Sequence, residues 1–507
     1  MINAGRQISW LGTNLSNCII KAQKAPGRRG INTSKVLSQQ SHTDTKDEKS
    51  DSHDESIDTS KYEPASPGVP RGYLDKFRRQ MKPVVKELFC GRVDTRIFSY
   101  PDVINNEAYD DMFQRCSSVK NILKEKKELL DSIDSDGKVS KDLLFSLRSQ
   151  GFYGLDIPED EGGEGLSLTE KLRLIEELSV NLSLSESIVT PVTLGYKAIQ
   201  LYGKDNQKSK YLPSLTSGQK IGAICITDEL CGSDPTMTSV KASWDDVDNV
   251  YVLEGTKTWV ANGPSADIFT VFANCITKGN ITHTADTTLA PQPKLTAFLV
   301  ERSMAGVHIH SDKIYNKVGL KGLETCSVTF DNVLLKSEHV IGDEGQGSEI
   351  LQQTLSSDRL TSAAKITASL RLLLNDTIRH ACRRKQFQKR LIDFELIQQK
   401  ISSSAYHLFA LESAVYMTAG LGDFQLQPDI TVESAAVKRY SMKIASIIVE
   451  NCFSILGGST YLEDNPHNKV ANDLKAFNWW QGTDEMLAFH ITTEGIHHVA
   501  TEIQVYL

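Results

Sequence analysis

The sequence predicts an α+β protein: a helical region, then a small antiparallel β barrel or sandwich, then a bundle of long helices. Two shifts of texture predict it. Between Ile104 and Leu215 apolar residues recur at helical spacing, as in Leu143, Leu144 and Leu147 or Leu172, Leu174, Ile175 and Leu178, with a Gly-rich break at Glu161-Gly162-Gly163. From Ile221 the pattern changes to short β-branched runs between Gly, Pro, Asn and Asp turns. These runs are Ile221 to Thr227, Val250 to Glu254, Ile268 to Phe272, Leu295 to Val300 and Cys326 to Phe330. After Gly347 no proline occurs until Pro428, and long helical patterns return over Ile350 to Arg379, Phe394 to Ala419 and Val432 to Ile455.

Composition bounds the rest. A chain of 507 residues, 40% apolar, is long enough to bury a substantial core. Its net charge of -8, with no basic stripe, argues against a nucleic-acid binder, which must neutralise phosphates. The nine cysteines form no C-x-x-C pair, so neither a zinc site nor a disulfide framework is expected. The longest apolar candidate, Ile444 to Leu456, is short and holds Glu450 and Asn451, so no transmembrane segment is expected. His380, His497 and His498 have no Cys or carboxylate at metal-ligand spacing in the sequence, and no metal is expected.

The first 43 residues lack Asp and Glu yet carry Arg6, Lys21, Lys24, Arg28, Arg29 and Lys35 among Ser, Asn and Thr. That suits a mitochondrial presequence, placed at 1–37. A polar linker follows over 38–83, with Asp44, Asp47, Glu48, Asp51, Asp54 and Glu55 among Ser and Thr, too poor in apolar surface to offset its ordering entropy. The expected domains are then a helical one at 84–220, a β domain at 221–340 and a helical bundle at 341–507.

Five ordered motifs resemble the acyl-CoA dehydrogenase family. Ala223 to Asp234, AICITDELCGSD, is similar to the loop that ends in Thr-Glu-Pro-x-x-Gly-Ser-Asp and meets the flavin. Lys257 to Gly263, KTWVANG, resembles the second flavin strand, and Cys382 to Leu391, CRRKQFQKRL, the Arg-x-x-Phe motif of the FAD pyrophosphate. Ile455 to Tyr461, ILGGSTY, resembles the Gly-Gly loop, and Trp480 to Glu485, WQGTDE, the aromatic-Glu-Gly-Thr-Asn-Glu motif beside the flavin ring. KELFCG at Lys86 to Gly91, RRKQFQKRL and MTAG at Met417 to Gly420 are similar to the branch of family member nine and its insect counterpart Enigma, which is linked to assembly of respiratory complex I.

The resemblance implies the acyl-CoA dehydrogenase fold, FAD as cofactor, a homodimer, and a matrix location. It implies FAD contacts from Thr227, Gly232, Ser233, Trp259, Arg384, Phe387, Gly457, Gly458 and Thr483, with Arg359 toward substrate. It also marks a departure. The family reaction needs a base for the proton α to the thioester, and the glutamate expected there is Gln481, an amide unable to take a proton near neutral pH. A minority of the family carries its base just before the arginine of a Leu-x-x-Glu-Arg pattern, where Leu355-Ser-Ser-Asp358-Arg359 offers Asp358. The competing reading of Asp358 is an ordinary helix acid, paired with Arg359 or facing solvent.

Other departures fall at the flavin. Asp228-Glu229 replaces Glu-Pro, Ala261 a hydroxyl residue and Ser454 a glutamine; two or three lost hydrogen bonds of about 1 kcal/mol each weaken FAD about a hundredfold. Trp479 and Trp480 stand where relatives have smaller residues, either filling the acyl cavity or packing as ordinary core. The expected function is therefore a catalytically impaired scaffold with partial FAD, acting with complex I assembly proteins. The alternative is an active dehydrogenase that binds acyl-CoA, uses Asp358 and reduces electron transfer flavoprotein.

Overall fold

A computed structural model describes residues 83–93, 106–275, 293–424 and 429–506. The expected presequence and all but the last residue of the expected linker lie outside these residues.

The helical region contains α1 (Val84–Phe89), α2 (Asn106–Glu125), α3 (Lys127–Asp131), α4 (Ile133–Asp136), α5 (Lys141–Arg148), α6 (Leu168–Leu178), α7 (Leu182–Thr190), α8 (Lys197–Tyr202) and α9 (Asp205–Thr216). Local chemistry sets the starts. Ser167 and Glu170 form a reciprocal capping box at α6, and Asn181 Oδ1 accepts from Leu184 N at 3.2 Å to open α7. One wide π turn, Pro191–Gly195, follows α7. A Cβ on Gly195 would fall 2.4 Å from the Gly222 carbonyl, so only glycine lets this turn lie on the first strand.

The β layer has β1 (Gly222–Cys225), β2 (Lys241–Asp245), β3 (Val250–Ala261), β4 (Ile268–Cys275), β5 (Lys294–Glu301), β6 (Val307–Ile309), β7 (Thr325–Leu335) and β8 (Val340–Ile341). Their order is β6-β7-β3-β2-β4-β5-β8, with β1 against β4. The sheet is mixed rather than purely antiparallel, because β1 and β2 both run parallel to β4. The chain between Cys225 and Ile268 supplies the crossover that parallel pairing requires. Strand β4 is buried on both faces: Ile268 and Phe272 join the core of the helical region, whereas Phe269, Val271 and Ala273 join the core of the sheet.

The third layer holds α10 (Gly347–Arg383), the hairpin β9 (Lys385–Gln386) and β10 (Lys389–Arg390), α11 (Glu395–Phe424), α12 (Thr431–Leu456), α13 (Pro466–Ala476) and α14 (Asp484–Tyr506). The helices α10, α11 and α12 share a core of Leu360, Leu370, Leu373, Leu408, Val415 and Ile448. Helix α1 is clasped to α14: Lys86 pairs with Glu494 at 3.2 Å, His498 with Glu87 at 2.8 Å and Arg92 with Glu502 at 2.5 Å. These partners recur on one side of α14, so the KELFCG segment ties the start of the described fold to its last helix.

Phe298 is fully buried in the sheet core with its ring edge-on to Tyr251 at 5.4 Å. Phe298→Ala is expected to cost about 3–5 kcal/mol, read as a lower urea midpoint at unchanged slope.

Candidate active site

Helix α10 is buried almost all round, yet one of its sides is polar. Asp358, Ser362, Lys365 and Ser369 recur at i, i+4, i+7 and i+11, which places them one above another. The first three are fully buried, and so are Glu186 of α7 and Lys438 of α12. Unpaired charges are intolerable in such surroundings. Lys365 Nζ lies 2.6 Å from Glu186 Oε1, and Glu186 Oε2 accepts from Thr190 Oγ1 at 2.7 Å. Lys438 Nζ donates to the Phe477 carbonyl at 2.6 Å.

The loop between α13 and α14 delivers Gln481 to the same side. Its Nε2 donates to Asp358 Oδ2, and its Oε1 accepts from Ser362 Oγ at 3.1 Å. Gln481 has φ of 62°, a left-handed backbone that costs a side-chain-bearing residue about 1–2 kcal/mol. The two hydrogen bonds of its amide offset that strain.

Asp358 therefore neither pairs with Arg359 nor faces solvent. It is fully buried against Gln481, because its side of α10 is roofed by α7 and by the Gln481 loop. Burial pushes its carboxyl up to about 6, with Lys365 pulling it down and Glu186 pushing it further up. Burial also drives Lys438 down to about 7. For Lys365 burial opposes the charge, but Asp358 and Glu186 outweigh it and the ammonium is held above its ordinary value.

Arg359 is also buried. Its Nη1 donates to Ser356 Oγ at 3.1 Å, its Nε has no hydrogen-bond partner, and burial lowers it to about 10. Trp480 packs partly against the core of the long helices, whereas Trp479 is 68% exposed and fills no interior cavity. It lines a surface cleft of about 340 Å³ with Met442, Lys443, Ser446 and Thr483.

Apart from Thr483 in that cleft, the flavin-type residues fall into two groups. Thr227 and Trp259 are adjacent, since the Thr227 carbonyl accepts from Thr258 N at 2.8 Å. Trp259 has φ of 57°, is 60% exposed and meets Tyr315 edge-on at 4.7 Å. Gly232 and Ser233 are exposed on the same loop. Asp228 is not a lost polar contact within the fold: it is buried and accepts from Thr238 Oγ1 at 2.5 Å, from Leu230 N at 3.0 Å and from Lys257 Nζ at 3.1 Å. The shorter carboxylate thus holds the loop to β3.

The second group stands at the far ends of α10 and α12. Arg384 caps α10, Phe387 is 88% exposed at the tip of the β9–β10 hairpin, and Gly457, with φ of 78°, ends α12. Ala381 and Ile455 share one small apolar cluster, which brings these ends together. Asp358 and Arg384 are 26 residues apart on or capping one helix, about 39 Å along its axis. The Arg384 end of this helix is therefore remote from its Asp358 end.

The donor set fits FAD. A Cβ on Gly232, Gly457 or Gly458 would meet no atom within 4 Å, leaving open cradles, and Asn262 Nδ2, beside Ala261, is buried without a hydrogen-bond partner. The sequence reading passed over Asn262, Ser362, Lys365 and Glu186. The signal for the last two was a lone charge in an apolar segment, AAKITASL and LSESIVT. Contrary to the expectation that His498 has no carboxylate at ligand spacing, Glu502 stands four residues on along α14 and Glu87 joins them from α1; Arg92 lies 3.1 Å from Glu87 and 2.5 Å from Glu502, supplying the positive charge a metal would bring.

Helical, β and long-helix layers with an open glycine cradle define a flavoprotein-type architecture. The acyl-CoA dehydrogenase N-terminal, middle and C-terminal domain families match residues 113–219, 223–333 and 345–495. The chain belongs to the acyl-CoA dehydrogenase family. It is 32% identical over 421 residues to the mitochondrial very long-chain specific acyl-CoA dehydrogenase of Rattus norvegicus, covering 82% of this chain and 63% of that protein. The chain thus spans about three fifths of such relatives. It is 30% identical to benzylmalonyl-CoA dehydrogenase of Aromatoleum aromaticum, covering 72% of this chain and 92% of that one. The butyryl-CoA dehydrogenase structure from Megasphaera elsdenii superposes with a TM-score of 0.68 at 26% identity, covering 75% and 97% of the two chains. An acyl-CoA dehydrogenase of Bacillus anthracis complexed with FAD superposes at 0.69 with 23% identity, covering 79% and 69%.

The raised Asp358 carboxyl has a sign. Its folded value of about 6 exceeds the ordinary 3.8, so its contribution to stability is full below 3.8 and is lost as pH rises through 6. Urea titrations from about pH 5 to 7.5 are expected to show wild type losing stability relative to Asp358→Asn, toward a total on the order of 3 kcal/mol over the whole window.

Proposed function

We propose that this chain is an FAD-carrying member of its family in which the proton-abstracting position is disabled, and that it serves as a mitochondrial scaffold. One observation carries the reading: both polar ends of the Gln481 amide are tied to α10, and the carboxyl behind it, Asp358, is fully buried. No carboxylate is offered at the position where the reaction needs a base. Mitochondrial location is supported by the acid-free first 43 residues and by the mitochondrial relatives. A homodimer rests on the family resemblance of the ILGGSTY loop at Ile455 to Tyr461. The assignment to complex I assembly, on the matrix side, rests on the KELFCG, RRKQFQKRL and MTAG resemblance.

The departures at Ala261 and Ser454 favour FAD held more weakly than in catalytic relatives, with Asn262 Nδ2 as a partial substitute. When bound, FAD supplies the hydride acceptor for the carbon β to the thioester. This chain's residues would cradle it through Trp259 and the Gly-lined loops, while the Gln481 amide covers Asp358 Oδ2 and is itself held by Ser362.

A second reading has an observation of its own. Asp358 is a carboxyl pushed up to about 6, in the range suited to a general base, with only Gln481 between it and the loop. If Gln481 swings out, Asp358 becomes the base of an FAD-dependent dehydrogenase that passes electrons to electron transfer flavoprotein.

Anaerobic bleaching of the FAD-loaded protein by short-, medium- and long-chain acyl-CoA separates the two. The first reading expects no bleaching. It further expects that Gln481→Glu alone recovers little, since two carboxylates in contact share a proton, whereas Gln481→Glu with Asp358→Asn recovers about 10²- to 10⁴-fold in rate. Bleaching of the wild-type protein that Asp358→Asn abolishes would establish the second reading instead.

A further inference from the structure

We propose that Lys365, ion-paired to Glu186, is a positioning residue: its buried ammonium keeps Asp358 in the carboxylate form that accepts the Gln481 amide and so fixes the loop between α13 and α14. The geometry is that of one helix side. Lys365 lies seven residues beyond Asp358, and helix side chains tilt toward the N-terminus, so its four-carbon stem reaches back along the side it shares with Asp358. Ser362, between them, donates to the other end of the Gln481 amide. A carboxylate can only accept, so as long as Asp358 is ionised the Gln481 amide nitrogen is drawn to it and the amide oxygen is left for Ser362.

Glu186 sets how much of the ammonium's charge Asp358 receives. It takes Lys365 at 2.6 Å while Thr190 occupies its second oxygen, so one cation is divided between two buried anions. The other charged groups around Asp358 are Lys171 of α6, Lys438 of α12, and Arg359, its neighbour in sequence. Of these, Arg359 is turned to Ser356, and Lys438 spends its ammonium on the Phe477 carbonyl at the start of the Gln481 loop. Lys365 is the cation fully buried on Asp358's own helix side.

The proposal deepens the inward-held Gln481 reading, and its test needs neither flavin nor acyl-CoA, so it is decided separately from bleaching. Trp480 adjoins Gln481 and reports the loop through tryptophan fluorescence, followed on the full chain from about pH 5 to 9. Wild type is expected to show a transition that Asp358→Asn removes. Lys365→Met is expected to raise its midpoint by about one unit or more, and Glu186→Gln to lower it, because the ammonium then serves Asp358 alone. Lys365→Arg, which keeps the charge and provides a variant if Lys365→Met does not fold, is expected to leave the midpoint within about half a unit. Shifts in the same direction for Lys365→Met and Glu186→Gln, an unmoved midpoint in either, a Lys365→Arg midpoint displaced as far as that of Lys365→Met, or a transition that survives Asp358→Asn would overturn the proposal. A merely structural ion pair would weaken both variants alike and give no opposite signs.

Discussion

Four ionisable groups sealed away from water, the acids Asp358 and Glu186 and the bases Lys365 and Lys438, sit where α7, α10, α12 and the Gln481 loop meet. Removing any one leaves a buried charge uncompensated, which costs several kcal/mol, whereas the intact set is close to neutral in its net effect. Its consequence is specificity of arrangement more than stability. The α13–α14 loop is pinned by Gln481 to α10 and by the Phe477 carbonyl to Lys438, so its strained backbone has one place to lie.

That pinning bears directly on chemistry. Gln481 is a buried polar side chain whose amide must be satisfied inside the fold. Here Asp358 and Ser362 satisfy it from behind, as acceptor and donor respectively. The amide is thereby drawn into the protein. In three dimensions Gln481 is bonded to two side chains of α10, with the Lys365–Glu186–Thr190 group along the same helix side.

The flavin surfaces show the opposite economy, with little built in and much left open. Trp259 and Phe387 project into solvent, and the glycines beside them leave space where a side chain would intrude. The loop that carries Thr227 keeps its shape without the family's Glu-Pro, because the buried Asp228–Lys257 pair and Thr238 hold it from beneath.

The sequence alone determined the three-layer order and the family, because hydrophobic periodicity and turn chemistry are local and the five motifs are contiguous strings. Strands β3, β4, β5 and β7 and helices α10, α11 and α12 fall where those patterns lie. It did not determine that β1 and β2 run parallel to β4, since strand direction depends on crossovers between distant segments. Nor did it determine the setting of Asp358. Whether a helix acid pairs with its sequence neighbour, faces water or is buried against a glutamine 123 positions away depends on what packs over that side of the helix. Only the tertiary structure decided this: burial converts lone charges in local sequence, Lys365 and Glu186, into mutual partners, because the interior admits each charge only when another compensates it.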